Sequence, residues 1–312
     1  MLARLISEYP EDVKVVYRHF PLISIHDKST LASQASEAAG LQDKFWEMHD
    51  LIFEKQPEWV NMSVEDFEEW LISQAEELGL DADQFAEDMT SEEIVNKIQT
   101  AYEQASQTGI PGTPFLLFNG RGYQGSMAYE DLVNIVEFFL LEKRQYTSCP
   151  PMIIDPEKEY QVTLHTEKGD IVLELYADKA PLSVNSFVFL AQEGWYDNVT
   201  FHRVLPEFVA QSGDPSGTGM GGAGYEFANE IHEELKFDAA GILAMANHGP
   251  DTNESQFFIT YAPMPDLDGG YTIFGRVISG MDVVEKLTPR DPSQGGGLPP
   301  GDKILGVTVV EK

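Results

Sequence analysis

The chain is poor in cysteine, with Cys149 alone among 312 residues, and poor in bases, with 20 Lys and Arg against 52 Asp and Glu. One cysteine excludes an internal disulfide, an intact C-x-x-C pair and a cysteine-rich zinc site. Flanked by prolines in TSCPPM, it reads as an incidental thiol. The net charge of −32 is shared by both halves, so it belongs to the whole surface and not to an acidic tail. Such a field repels phosphate backbones and counts against a nucleic-acid partner. No apolar run approaches the roughly 18 residues that a membrane span needs. MLARLISEYPED lacks the charged head, apolar middle and cleavage site of a secretory signal. As written the chain reads as cytoplasmic, and a start lying upstream would admit a cell-envelope or secreted location. His202, His232 and His248 lack metal-ligand spacing, so no metal or cofactor is expected, and His202 reads as a hydrogen-bonded core residue.

What is present divides into two textures. Residues 12–20 (DVKVVYRHF) are β-rich and read as a strand ending at Pro21. Helical periodicity then runs through residues 28–55. A further helix is capped by Ser63, with Asp66 three residues on, and another starts near Ser91 and stops at Gly109. PFLLF reads as a strand, NGRGYQG as a glycine-bearing turn, and residues 128–143 as a last helix. Three prolines in RQYTSCPPMIIDPEK mark a boundary, giving domains over 1–145 and 158–312 with a linker at 146–157. Beyond it, residues 159–177 alternate apolar and polar around an EKGD turn, the pattern of a β-hairpin. The helix APLSVNSFVFLAQEG follows, then short strands, glycine-rich loops and one more helix near Gly280–Leu287. This texture suggests a closed antiparallel barrel. The glycines of GDPSGTGMGGAGYEF lack the Lys-Ser/Thr of a phosphate loop and read as surface loop.

Three segments of the second half carry chemistry: FHRVLPEFVAQSGDP, GILAMANHGPDTNESQFFIT and LDGGYTIFGRV. In order and spacing they resemble the cyclophilins, peptidyl-prolyl cis–trans isomerases, over roughly residues 158–312. The resemblance implies a mainly-β, closed eight-stranded barrel with two helices. It also implies a fold-assisting enzyme that acts on proline-containing polypeptides. Arg203, Phe208 and Gln211 match the catalytic positions. Val209, Ala246, Asn247, Gln256, Phe258, Leu267 and Tyr271 match the substrate-binding ones. Those residue types suit the chemistry. A peptide C–N bond resists rotation by about 18–20 kcal/mol through resonance, and stabilising the twisted amide needs no covalent step. It calls for an apolar slot for the proline ring and a rigid cation to hold the carbonyl and donate towards the nitrogen. Two positions depart from the family. Tyr271 stands for a frequent His, and Asp266 for a frequent Trp. Losing that aromatic wall counts against binding of cyclosporin-type inhibitors.

In the first half FPL (20–22), AAGLQDKFWEMHDLIF (38–53) and GIPGTPFLLFNG resemble the DsbA-like branch of the thioredoxin superfamily. The resemblance implies an α/β thioredoxin-like fold with a helical insertion, covering about residues 1–145. In that family a central strand and a C-x-x-C helix precede the point where this chain begins, so the domain reads as incomplete, first strand missing, and redox-inactive as written. The resemblance also implies a cis peptide before Pro114, and Thr113 and Pro114 as a loop able to hold an extended peptide. Three functions follow. One is a proline isomerase; another is a non-catalytic proline-peptide-binding chaperone or scaffold. The third is a bifunctional redox-folding factor whose C-x-x-C segment is missing here.

Overall fold

The computed structural model describes residues 1–295 and 297–312. They pack as two compact units: Val15–Gln124, and Met1–Lys14 together with Gly125–Lys312. Helix α1 (Leu2–Glu8) belongs to the latter.

The Val15–Gln124 unit is mostly helical: α2 (Ser29–Gly40), α3 (Phe45–Glu54), α4 (Gln56–Trp59), α5 (Val64–Glu77), α6 (Ala82–Met89) and α7 (Glu92–Gln107). The expected cap is present, with Ser63 accepting the Asp66 N–H at 3.0 Å, and Asp81 and Ser91 cap α6 and α7 in the same way. Phe67, Leu71 and Ala75, at helical spacing, bury against Ala35, Ala39 and Phe85. Gly109, just past α7, has a φ of +71°, as a helix-ending glycine should. The Thr113–Pro114 peptide is cis. Strands β1 (Leu116–Phe118) and β2 (Arg121–Tyr123) form a hairpin across Asn119 and Gly120. Both turn residues have positive φ, the Asn-Gly signature. Residues 12–20, expected as a strand, form none. Val16 is 70% exposed, and no neighbouring strand among the described residues offers a ladder. β-propensity reports fit to a sheet surface and cannot substitute for a partner.

The other unit contains α1, α8 (Tyr129–Leu140) and the second half of the chain. Strands β3 (Tyr160–Thr166) and β4 (Gly169–Leu175) make the expected hairpin, with Tyr160, Val162, Leu164 and Thr166 buried in strict alternation. Helix α9 (Pro181–Gln192) is buried almost all round and stops at Gly194, φ +69°. Then come β5 (Val199–Thr200), β6 (Arg203–Val204), β7 (Val209–Ser212), β8 (Ile242–Met245), β9 (Phe257–Thr260), β10 (Ile273–Ser279), α10 (Met281–Val284) and β11 (Lys303–Glu311). Among the described residues β3 to β11 form one antiparallel sheet, in the order β5-β11-β3-β4-β10-β8-β9-β7-β6. Its two edge strands, β5 and β6, are separated in the chain by Phe201 and His202 alone, so the sheet must curl until its ends nearly meet. The packing division does not follow the proline-rich stretch. Leu141 is buried in the sheet's core and Tyr146 packs against it, well before residue 158.

Candidate active site

The site arises from the two-residue period of the strands. On β7, Ala210 points into the main core while Val209 joins a second apolar cluster. On β9, Phe257 and Ile259 face the core and Phe258 faces that cluster; β8 splits Leu243 and Met245 from Ile242 and Ala244 likewise. The second cluster is Val209, Phe237, Ile242, Ala244, Phe258 and Ile273, with Phe208, Ala246, Leu267 and Tyr271 packed on it while still partly exposed. Phe258 stacks on Phe237 (5.9 Å between centroids, 13° between planes) and meets the Tyr271 edge at 5.5 Å. The result is an aromatic-rich cluster buried at Phe237 and Phe258 and partly exposed at Phe208, Leu267 and Tyr271.

Arg203 stands beside it. The β6–β7 register sets Arg203 directly opposite Gln211, and the next ladder sets Gln211 opposite Phe258. Arg203 Nη1 donates to Gln211 Oε1 (3.2 Å), Gln211 Nε2 to Gln256 Oε1 (2.9 Å), and Gln256 Nε2 to the carbonyls of Gly219 (3.0 Å) and Gly221 (2.8 Å). The Arg203 guanidinium lies 5.3 Å from the Phe208 ring centroid. Among the described residues it makes no carboxylate ion pair, despite the acidic surface. At the other end, the Ala246 N–H is used by Gln256 O (2.9 Å), and Asn247 Nδ2 reaches Asn229, Asn253 and the Gly270 carbonyl at 3.3–3.4 Å.

Of the sequence-predicted residues, Arg203, Gln211, Val209 and Phe258 sit on adjoining strands, Phe208, Ala246, Leu267 and Tyr271 pack on the second cluster, and Asn247 makes its contacts with Asn229, Asn253 and Gly270. Thr113 and Pro114 lie in the other unit, outside this cluster. Asp266 is exposed in the short turn Pro265–Leu267 and supplies no wall. Sequence reasoning missed Phe237, Ile273 and Asp214. The glycine-rich stretch is also less superficial than expected: Gly221, Gly222 and Ala223 are buried. The cause is Asp214, itself fully buried, whose carboxylate accepts from the N–H groups of Ser216, Gly219 and Gly221 and from two hydroxyls. The signal was available, since an Asp followed by Ser and Thr two and four residues on is a turn-forming pattern.

His202 corrects another expectation. It is buried, but among the described residues its Nδ1 has no hydrogen-bond partner. Burial pushes the imidazole down to about 4; Asp214 opposes this, while Arg290 and Arg203 reinforce it. In the folded state the ring stays neutral where the unfolded chain, at 6.5, takes up a proton. Its contribution is thus complete above pH 6.5 and is lost as pH falls towards 4. Denaturant unfolding should show a loss of about 2 kcal/mol between pH 6.5 and 5, where few carboxylates titrate, and His202→Gln should flatten that slope.

Comparisons with known proteins bear on the family. A family model for cyclophilin type peptidyl-prolyl cis-trans isomerase/CLD matches residues 161–309, and one for a DSBA-like thioredoxin domain matches residues 1–137. The peptidyl-prolyl cis-trans isomerase ppi1 of Schizosaccharomyces pombe is 56% identical over 129 residues, 40% of this chain and 83% of the relative. The Arabidopsis thaliana isomerase CYP18-2 is 52% identical over 130 residues, 41% of this chain and 79% of the relative. A solved Cryptosporidium parvum cyclophilin type isomerase aligns with a TM-score of 0.46 and 37% identity, covering 49% of this chain and 99% of its own. With relatives 56% and 52% identical matched over 83% and 79% of their own length, the chain belongs to the cyclophilin-type peptidyl-prolyl cis–trans isomerases, and its first part matches a DSBA-like thioredoxin domain.

Proposed function

We propose that this isomerase turns X-Pro bonds of unfolded or folding polypeptides by gripping the proline ring over Phe258, with Phe208, Val209, Leu267 and Tyr271 around it, while Arg203 stabilises the twisted amide. As resonance is lost the prolyl nitrogen becomes a hydrogen-bond acceptor, and a guanidinium held in place by Gln211 favours that state over either planar one. Ala246 and Asn247, at the end of β8, bind the backbone beside the proline. The observation that carries this reading is the relay from Arg203 through Gln211 to Gln256, with no carboxylate within ion-pair distance of the guanidinium among the described residues. Arg203→Lys tests it: a point charge without the planar fork should lose at least about tenfold in kcat/KM. Full retention of activity would reject the guanidinium's role.

The remaining readings rest on narrower observations. Counting β5 and β6 as one strand bent at Phe201–His202 turns the nine ladder strands into a closed eight-stranded barrel, whose rim carries Arg203. The functional unit we assign to residues 158–312, with the DsbA-like domain, over about residues 1–145, as a peptide-positioning module through Thr113 and Pro114. An exposed Asp266 in place of an aromatic wall favours, as a second reading, a scaffold that binds proline segments without turning them over. The same exposed carboxylate leads us to expect weak cyclosporin binding, and Asp266→Trp should tighten it by about tenfold or more in a fluorescence titration.

A further inference from the structure

The loop Gly219–Gly224, whose amides at Gly219 and Gly221 are tied to Asp214, is held further from two sides, and one of these lies outside the isomerase match. On the site side Gln256 binds its carbonyls at Gly219 and Gly221. On the far side Gln145 Nε2 donates to Gly222 O (3.0 Å), and the Tyr146 N–H donates to Ala223 O (2.8 Å). Leu141 is 3% exposed, and its Cδ2 lies 2.6 Å from where a Cβ on Gly221 would stand. Gly224, with φ +87°, passes so close to Tyr146 that an added Cβ would sit 2.6 Å from the Tyr146 carbonyl oxygen. All of these residues belong to one compact unit.

Donor and acceptor logic carries this grip to the reaction centre. Carbonyls only accept, so the Gly219 and Gly221 oxygens compel the Gln256 amide to face them with its Nε2. Its Oε1 must then face Gln211, which in turn must show Oε1 to Arg203. If the loop carbonyls withdraw, the Gln256 amide is free to flip. Donors would then face donors at Gln211, and the guanidinium would lose its anchor.

We infer that the strap Leu141–Tyr146, inherited from the segment ahead of the isomerase match, positions Arg203 by fixing the polarity of the Gln256–Gln211 pair. This rests on the role assigned to Arg203 above. Leu141 and Gln145 are accordingly positioning residues: they touch no substrate and act through the loop. Misplacement of a group by a fraction of an ångström weakens binding of the transition state more than of the ground state.

The test uses the full-length chain and the double variant Leu141→Ala/Gln145→Ala. Its kcat should fall about tenfold with KM little changed, and the side-chain amide resonances of Gln211 and Gln256 should shift or broaden in 15N spectra. Leu141→Met, which keeps the volume, should restore both. Val162→Ala, in the core on β3 and paired with β4 and β11, is the control for lost stability: it should lower the melting temperature without moving kcat or the amides. A double variant that melts like Val162→Ala yet keeps wild-type kcat and unmoved amides overturns the inference. Arg203→Ala in the same assay separates the two readings. Its full retention of activity would sink the role of Arg203 and with it the claimed effect on catalysis, whereas a dead Arg203→Ala beside an unaffected double variant sinks the strap alone.

Discussion

Arg203→Ala should lower kcat/KM for an X-Pro peptide by about 10²–10³-fold, the usual cost of removing one preorganised donor from a transition state. Stability should change by no more than about 0.5 kcal/mol, because Arg203 is part-exposed and makes no ion pair among the described residues. Its contacts are the Gln211 carboxamide and the face of Phe208, and both groups can turn to water when it is gone. A protease-coupled assay alongside denaturant unfolding reads both quantities from one preparation. A fall in activity matched by a large fall in stability would instead mark Arg203 as a structural residue.

Gly213→Ala should be among the most destabilising small changes in the isomerase domain. Gly213 has φ +99°, and an added Cβ would lie 2.3 Å from the Ser255 carbonyl oxygen and 2.7 Å from the Gln256 Cα. Both obstacles are backbone at the entrance to β9, and the Gly213 carbonyl is itself pinned by the Ser255 hydroxyl (2.8 Å) and the Trp195 indole N–H (3.2 Å). Neither strand can yield without breaking the β7–β9 ladder that aligns Gln211 with Phe258. Conformational strain and the clash together should cost about 4 kcal/mol or more. Urea unfolding checks this, and a loss under about 1 kcal/mol would mean that the close approach at Gly213 is not required. Activity should fall with it, since Gln256 is the residue displaced.

Local signals made much of this architecture readable from the sequence. The alternation of Tyr160, Val162 and Leu164 foretold β3, Ser63 foretold its cap, and Gly194 the end of α9. The motif around Arg203 was legible through its resemblance to the cyclophilins, and the structure adds that Arg203 and Gln211 stand opposite each other on adjoining antiparallel strands. What escaped depends on long-range pairing. Phe237 comes from a loop and Ile273 from β10, and nothing in their own neighbourhoods places them beneath Phe258. Residues 12–20 have the composition of a strand and lack the partner that would make them one. The knot around Asp214 and the grip of Leu141 and Gln145 on the glycine loop are tertiary contacts, made between segments that look like a surface loop and the end of a helix when read alone.

The sharpest division between an isomerase and a proline-binding scaffold is two-dimensional exchange NMR on an Ala-Pro peptide in large excess over the protein. Uncatalysed exchange takes tens to hundreds of seconds, so a mixing time under one second shows no cis–trans cross-peaks on its own. With catalytic amounts of the chain, cross-peaks should appear within that mixing time and vanish for Arg203→Ala. Peptide resonances that shift on binding while the cis and trans signals stay unexchanged in the wild-type protein would contradict the account.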